Sequence, residues 1–189
     1  MKTIIKTVCC ILIVNLSALA ANYTVKSNGS GDYTTIQACA NAMAPGDTCT
    51  VYAGTYNENV TVPSGAAGSY KTLNVNGSDV VTVQSFTLGS HVKLVGNCTV
   101  PAAINTCGFN IQNPSSPGAA SCVSTPQNTT DVYIVNNVMY ACANGIGNSG
   151  STSGAAIYVP QGSSYVYVQG NTVSYQPQPP VILYLLGRG

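Results

Sequence analysis

The chain has 189 residues, only 6% of them charged, against about 25% in an average globular protein. Six Lys and Arg oppose five Asp and Glu, so there is no basic face for nucleic acid and no acidic cluster for calcium. Solubility has to come from Asn, Ser, Thr, Gln and Gly, and the length suits one domain after removal of a leader.

The first twenty residues read as that leader, so the domain begins at residue 21. Lys2 and Lys6 give a positive start, and Val8 to Leu16 is an apolar run interrupted by Asn15. Ala18-Leu19-Ala20 has the small-x-small pattern of a secretory cleavage site, which puts the mature terminus at Ala21. The apolar run is far shorter than the ~20 residues of a spanning helix. The expectation is therefore a secreted, extracellular protein with no membrane span after cleavage.

Helical periodicity occurs once. Ile36, Ala40 and Met43 share a face with Cys39 beside them. Thr34, three residues before Gln37, matches a capping box, and Pro45-Gly46 stops the helix. A short amphipathic helix there is expected to cover the open end of a stacked sheet, where unpaired strand edges would recruit other chains.

After Thr48 the apolar residues alternate in short runs broken by Gly, Asn, Ser and Pro. Cys49, Val51 and Ala53 share a face, and Val60/Val62, Leu73/Val75, Val81/Val83, Phe86/Leu88, Phe109/Ile111 and Ile157/Val159 continue the pattern. A sandwich or a solenoid produces such runs; internal repetition favours the solenoid. Val92-Lys-Leu-Val-Gly-Asn97 recurs as Val132-Tyr-Ile-Val-Asn-Asn137 and Val166-Tyr-Val-Gln-Gly-Asn171. The intervals are 40 and 34 residues, matching one coil of about 22 residues plus a loop, or two compact coils for the longer interval. Asn at the bend tolerates left-handed backbone angles, and stacked Asn side chains can bond one another. The fold class expected is all-β: a parallel β-solenoid of three-faced coils over residues 21–175 with a short capping α-helix. Val51, Val92, Leu94, Val132, Ile134, Val166 and Val168 should point inward. The tail over 176–189, with Gln176-Pro-Gln-Pro-Pro180 and then an apolar stretch, reads either as a cap or as the stub of further coils.

Cys39, Cys49, Cys98, Cys107, Cys122 and Cys142 lie beyond the leader. An even count behind an export signal points to disulfides. With no CxxC and a single histidine, His91, no zinc site is expected, and no cofactor is implied. Cys39–Cys49 would tie the helix to the first strand, with Cys98–Cys107 and Cys122–Cys142 as local staples. Six cysteines allow about fifteen connectivities, and the sequence leaves the pairing of the last four open.

Three segments carry a family resemblance: Asn28-Gly-Ser-Gly-Asp-Tyr-Thr-Thr-Ile-Gln37, Pro45-Gly-Asp-Thr48 and Ala53-Gly-Thr-Tyr-Asn-Glu-Asn-Val60. Their order of turn, helix, turn and strand resembles the N-terminal cap and first coil of the right-handed parallel β-helix of pectin-lyase-like proteins. The wording is especially similar to the opening of pectin methylesterases. The resemblance implies a polysaccharide partner. Family lyases use an Arg or Lys base, commonly with calcium on clustered carboxylates. Methylesterases use two Asp, an Arg and an oxyanion site. The methylesterase strings QAVAL, QDTL and DFIFG are absent from this chain.

Few groups remain for chemistry. Asp32 and Asp47 belong to turns, where short carboxylates bond nearby backbone N–H groups. Asp79, His91, Lys93 and Asp131 are the candidate catalytic residues, and none forms a recognisable acid–base pair in the sequence. Tyr133, Tyr165 and Tyr167 are the candidate ligand-binding residues, since outward tyrosines can cover a sugar ring while the hydroxyl stays wet. The expectation is a non-catalytic polysaccharide-binding or surface-displayed solenoid. Its alternatives are the N-terminal part of a pectinesterase- or lyase-type enzyme and a structural or adhesive module. Nothing in the sequence sets an oligomeric state.

Overall fold

The computed structural model describes residues 19–100, 102–112, 121–142, 146–147, 156–174 and 181–185. The leader up to residue 18, and residues 175–180 and 186–189 of the tail, lie outside the described residues. In chain order the elements are β1 (Asn22–Val25), α1 (Ile36–Ala42), β2 (Thr48–Val51), β3 (Gly54–Val62), β4 (Lys71–Val75), β5 (Val80–Leu88), β6 (Val92–Val95) and β7 (Gly108–Gln112). β8 (Val123–Ser124), β9 (Thr130–Val135), β10 (Val138–Tyr140), β11 (Ile146–Gly147), β12 (Ile157–Tyr158), β13 (Ser164–Ser174) and β14 (Val181–Leu185) follow.

All the strands join one curled sheet, a half-barrel in which every pairing is parallel except that of β14 on β13. The strands stack in three lines. The first runs β1, β2, β4, β6, β9 and the start of β13. The second takes the start of β3 and β5, then β7, β10 and the end of β13. The third takes the ends of β3 and β5, then β8, β12 and β11. β3, β5 and β13 bend from one line to the next, which joins the lines into a single sheet.

The register follows the sequence repeat. Val92 pairs with Val132, and Val132 with Val166. The 40-residue interval therefore brings the chain back to the same strand line once, not twice. Thr48, Thr72 and Lys93 also pair in succession at intervals of 24 and 21 residues, close to the compact coil length the repeat suggested. Lys71 stands opposite Val92, at a position where the repeat carries valine, so β4 escapes the sequence pattern.

The inner faces close on one core. Val51, Val92, Leu94, Val132 and Ile134 are completely buried and Val168 nearly so. Val166 also points inward: it is half-buried and packs against the core. Burying an aliphatic or Phe side chain contributes about 1.5–3 kcal/mol, and Phe86 and Phe109 add an edge-on pair at 5.3 Å.

The repeat's terminal Asn makes the ladder only in part. Asn171 Oδ1 accepts from Asn137 N–H at 2.9 Å and from Asn137 Nδ2 at 3.2 Å. Asn171 Nδ2 donates to Ile134 O at 2.7 Å and to Gln169 O at 3.1 Å. The left-handed residues are those just before, Asn136 (φ 58°) and Gly170 (φ 63°). Asn97 leaves the ladder and donates instead to the carbonyls of Gly77 and Asp79. At Gly96 a Cβ would collide with the Asn136 carbonyl, so this close approach of two bends requires glycine.

The cap helix forms as expected on its buried Ile36, Cys39 and Ala40, but its N-terminus is built differently. The N-cap is Thr35, whose hydroxyl accepts from Ala38 N–H at 3.2 Å, and not Thr34. Gln37 does not return to the cap; its amide bonds Thr61 and Asn41. Glu58 of β3 reaches the first-turn N–H groups of Ile36 (3.1 Å) and Gln37 (2.8 Å) from across the fold. An anion there satisfies orphan donors and meets the positive end of the helix dipole.

All three expected cysteine pairs come together: Cys39–Cys49, Cys98–Cys107 and Cys122–Cys142, with Cα separations of 6.3, 5.2 and 5.5 Å. Among the described residues no helix is long and apolar enough to cross a membrane.

Candidate functional site

Parallel, in-register stacking turns every outward position of a strand into a column across the sheet. In the first line one such column reads Thr72, Lys93, Tyr133, Tyr167. Its inward neighbours Leu73, Leu94, Ile134 and Val168 are buried, so the column has to face outward. The Tyr133 and Tyr167 rings stack at 4.6 Å with 13° between their planes.

Tyr70, immediately before β4, folds over this column. The Lys93 ammonium lies 4.3 Å from the Tyr70 ring centroid and 5.1 Å from that of Tyr133. Tyr70 also meets the Tyr133 ring edge-on at 5.6 Å and the His91 ring at 6.1 Å. Desolvation within this cluster pushes the Tyr70 phenol above its ordinary pKa, and the adjoining Tyr133 phenol adds to the shift.

A second column stands beside the first. His91, Asp131 and Tyr165 each precede the valine that opens a repeat, and each has a left-handed backbone, with φ of 55°, 55° and 53°. For residues other than Gly this conformation costs roughly 1–2 kcal/mol, and such outliers concentrate at functional sites. His91 Nδ1 approaches Asp131 Oδ2 to 3.2 Å. The approach lacks the alignment of a hydrogen bond, and the buried Nδ1 has no other partner. The contact joins the residue before β6 to β9. Tyr165 is 48% exposed, second only to Leu19 among the large hydrophobic side chains of the described residues.

Of the sequence-predicted residues, His91, Lys93, Asp131, Tyr133, Tyr165 and Tyr167 thus converge on one face. Asp79 does not join them. Its Oδ2 accepts from Ala53 N–H and Asn76 Nδ2, both at 3.0 Å, in a turn beside the first coil. Asp32 and Asp47 also serve turns: Asp32 bonds Thr24, and Asp47 accepts from the N–H groups of Ala21 and Ala44. Tyr70 was missed because Lys71 hides its strand from the repeat. Among the described residues no group of three or more His, Cys, Asp or Glu could hold a metal ion.

The column cannot stack sugars on every ring, because Tyr133 has Tyr167 on one face and Lys93 over the other. Edges and hydroxyls face outward instead. β13 pairs β14 as well as β9, with Leu185 opposite Val168. No protein-family model, curated protein or solved structure matches the chain.

Proposed function

We infer that this is an exported, right-handed parallel β-helix of the pectin-lyase-like type that binds polysaccharide without cleaving it. The three strand lines, the cap helix and the disulfides support the architecture and the oxidising compartment. One observation carries the binding reading: the outward stack of Tyr133 and Tyr167, with Lys93 and Tyr70 packed on it. These side chains contribute nothing to the core, yet they form a rigid, half-exposed aromatic strip with polar tips, which is the chemistry that contacts pyranose rings. The exposed part of the strip would cover a sugar ring, while the hydroxyls and the ammonium would bond neighbouring sugars.

Catalysis of the pectin-active kind needs two carboxylates within reach of one carbonyl, or a cationic base with acids for calcium. On this face Asp131 faces His91, and Asp79 lies elsewhere. The test is a glycan array and pull-down on insoluble polysaccharides with the secreted chain. Binding should fall about tenfold or more in Tyr167→Ala, while methanol and unsaturated products released from pectin stay at background with or without calcium. Equal binding by wild type and the Tyr133→Ala/Tyr167→Ala double variant would sink the binding reading. Turnover above that of Lys93→Ala would overturn the non-catalytic one.

A further inference from the structure

Away from the tyrosine columns, where the first strand line turns into the second, the surface holds a pocket of about 320 Å³. Its walls include Lys26, Asn28, Ser30, Tyr52 and Asp79. Val25 and Val51 pair in register, so Lys26 and Tyr52, which follow them, emerge side by side at the corner. The Lys26 ammonium lies 4.3 Å from the Tyr52 ring centroid. No described carboxylate lies within ion-pair distance of Lys26, and Asp32 feels its charge only from farther away.

Across the pocket Asp79 is held by one oxygen only. Oδ2 takes the Ala53 N–H and the Asn76 amide, and Oδ1 has no partner among the described residues. The rim is fixed by Asn28, whose Oδ1 accepts from both the N–H and the hydroxyl of Ser30. An ammonium and a half-used carboxylate, each anchored by the fold, therefore face one concavity without neutralising each other. A ligand of either charge would meet one like charge there. A neutral polyol meets a donor and an acceptor, and the volume falls at the small end of the roughly 300–1,000 Å³ of small-molecule sites.

We propose that this pocket binds a single neutral pyranose unit, with Asp79 Oδ1 accepting from one hydroxyl and Lys26 Nζ donating to the next. The site is separate from the tyrosine strip and does not depend on it. The test is an amide-resolved NMR titration of the full chain with neutral methyl pyranosides, alongside glucuronate and glucosamine. The Ala53 amide, bonded to Asp79, is the reporter. Its resonance should shift saturably with a neutral sugar. In Asp79→Asn, which keeps an acceptor for Ala53, and in Lys26→Gln, the apparent affinity should fall about tenfold, the effect of one lost charged contact. The Tyr133→Ala/Tyr167→Ala variant should titrate like wild type. Absence of an Ala53 shift at the highest soluble sugar concentration would refute the site, as would tighter binding of either charged sugar. Loss of the shift in the tyrosine variant would mean that the sugar binds only at the strip.

Discussion

Replacing Asn171 by Ala should destabilise the chain far more than replacing Asn97 by Ala, although both close the same sequence repeat. Asn171 is completely buried and makes four hydrogen bonds in the bend. Without its side chain, Asn137 N–H loses its acceptor in a dry interior, which costs about 1–3 kcal/mol. The donation to Ile134 O is worth about 1 kcal/mol more. Gln169 O still accepts from Asn136 N–H, and Asn137 Nδ2 keeps the carbonyls of Leu94 and Val135, so those groups stay satisfied. The expected loss is about 3 kcal/mol, which at this chain length lowers Tm by roughly 6–12 °C. Asn97 is only half-buried, and its two bonds go to turn carbonyls, so its replacement should cost about 1 kcal/mol. Thermal and urea unfolding by circular dichroism, with disulfides oxidised, measures both. If the two variants lose equal stability, or Asn171→Ala loses less than about 0.5 kcal/mol, the ladder does not hold the coils together.

Three further outcomes follow from the fold. Glu58→Ala should lower stability by about 1–2 kcal/mol by uncapping α1; a change in Tm no larger than that of an exposed control such as Asn57→Ala would count against the cap. Replacing Cys39 and Cys49 together by Ser should cost about 3 kcal/mol of loop-closure entropy, and peptide mapping of the wild type should find these two residues joined. Tyr56 is buried, and its hydroxyl donates to the carbonyls of Val25 and Tyr52; burial raises its pKa above the ordinary phenol value. Its share of stability is therefore complete below the unfolded-state value and disappears as pH rises through the folded one. Tyr56→Phe should flatten the alkaline side of the Tm–pH curve, and an unchanged alkaline slope would contradict that assignment.

Local chemistry wrote much of this protein into its sequence. Period-two runs marked the inward residues, because a strand alternates its faces whatever it pairs with. The buried face of α1 was legible for the same reason, and so was the turn role of Asp47 toward Ala44, three residues away, although Asp47 also reaches Ala21 and Asp32 bonds Thr24 from farther along the chain. The recurrence of Val-x-aliphatic-x-(Gly/Asn)-Asn identified three strands that do pair in register, and cysteine positions allowed three pairings that the fold brings together. Val166 packs inward as its phase requires but is only half-buried, because alternation says which way a side chain points and not how fully it is covered.

Neighbours far apart in the chain were decided only by the tertiary structure. Glu58 caps a helix 22 residues earlier, and Asp131 meets His91 across a 40-residue coil, while Asp79 is tied into a turn of its own. Tyr70, Lys93, Tyr133 and Tyr167 form one strip although each lies on a different coil. Coil length here varies from 21 to 40 residues, so no fixed period in the sequence predicts which outward residues share a column. That choice belongs to strand register, which is set where inward side chains of successive coils mesh, because a slip of one residue would turn the whole apolar face to water.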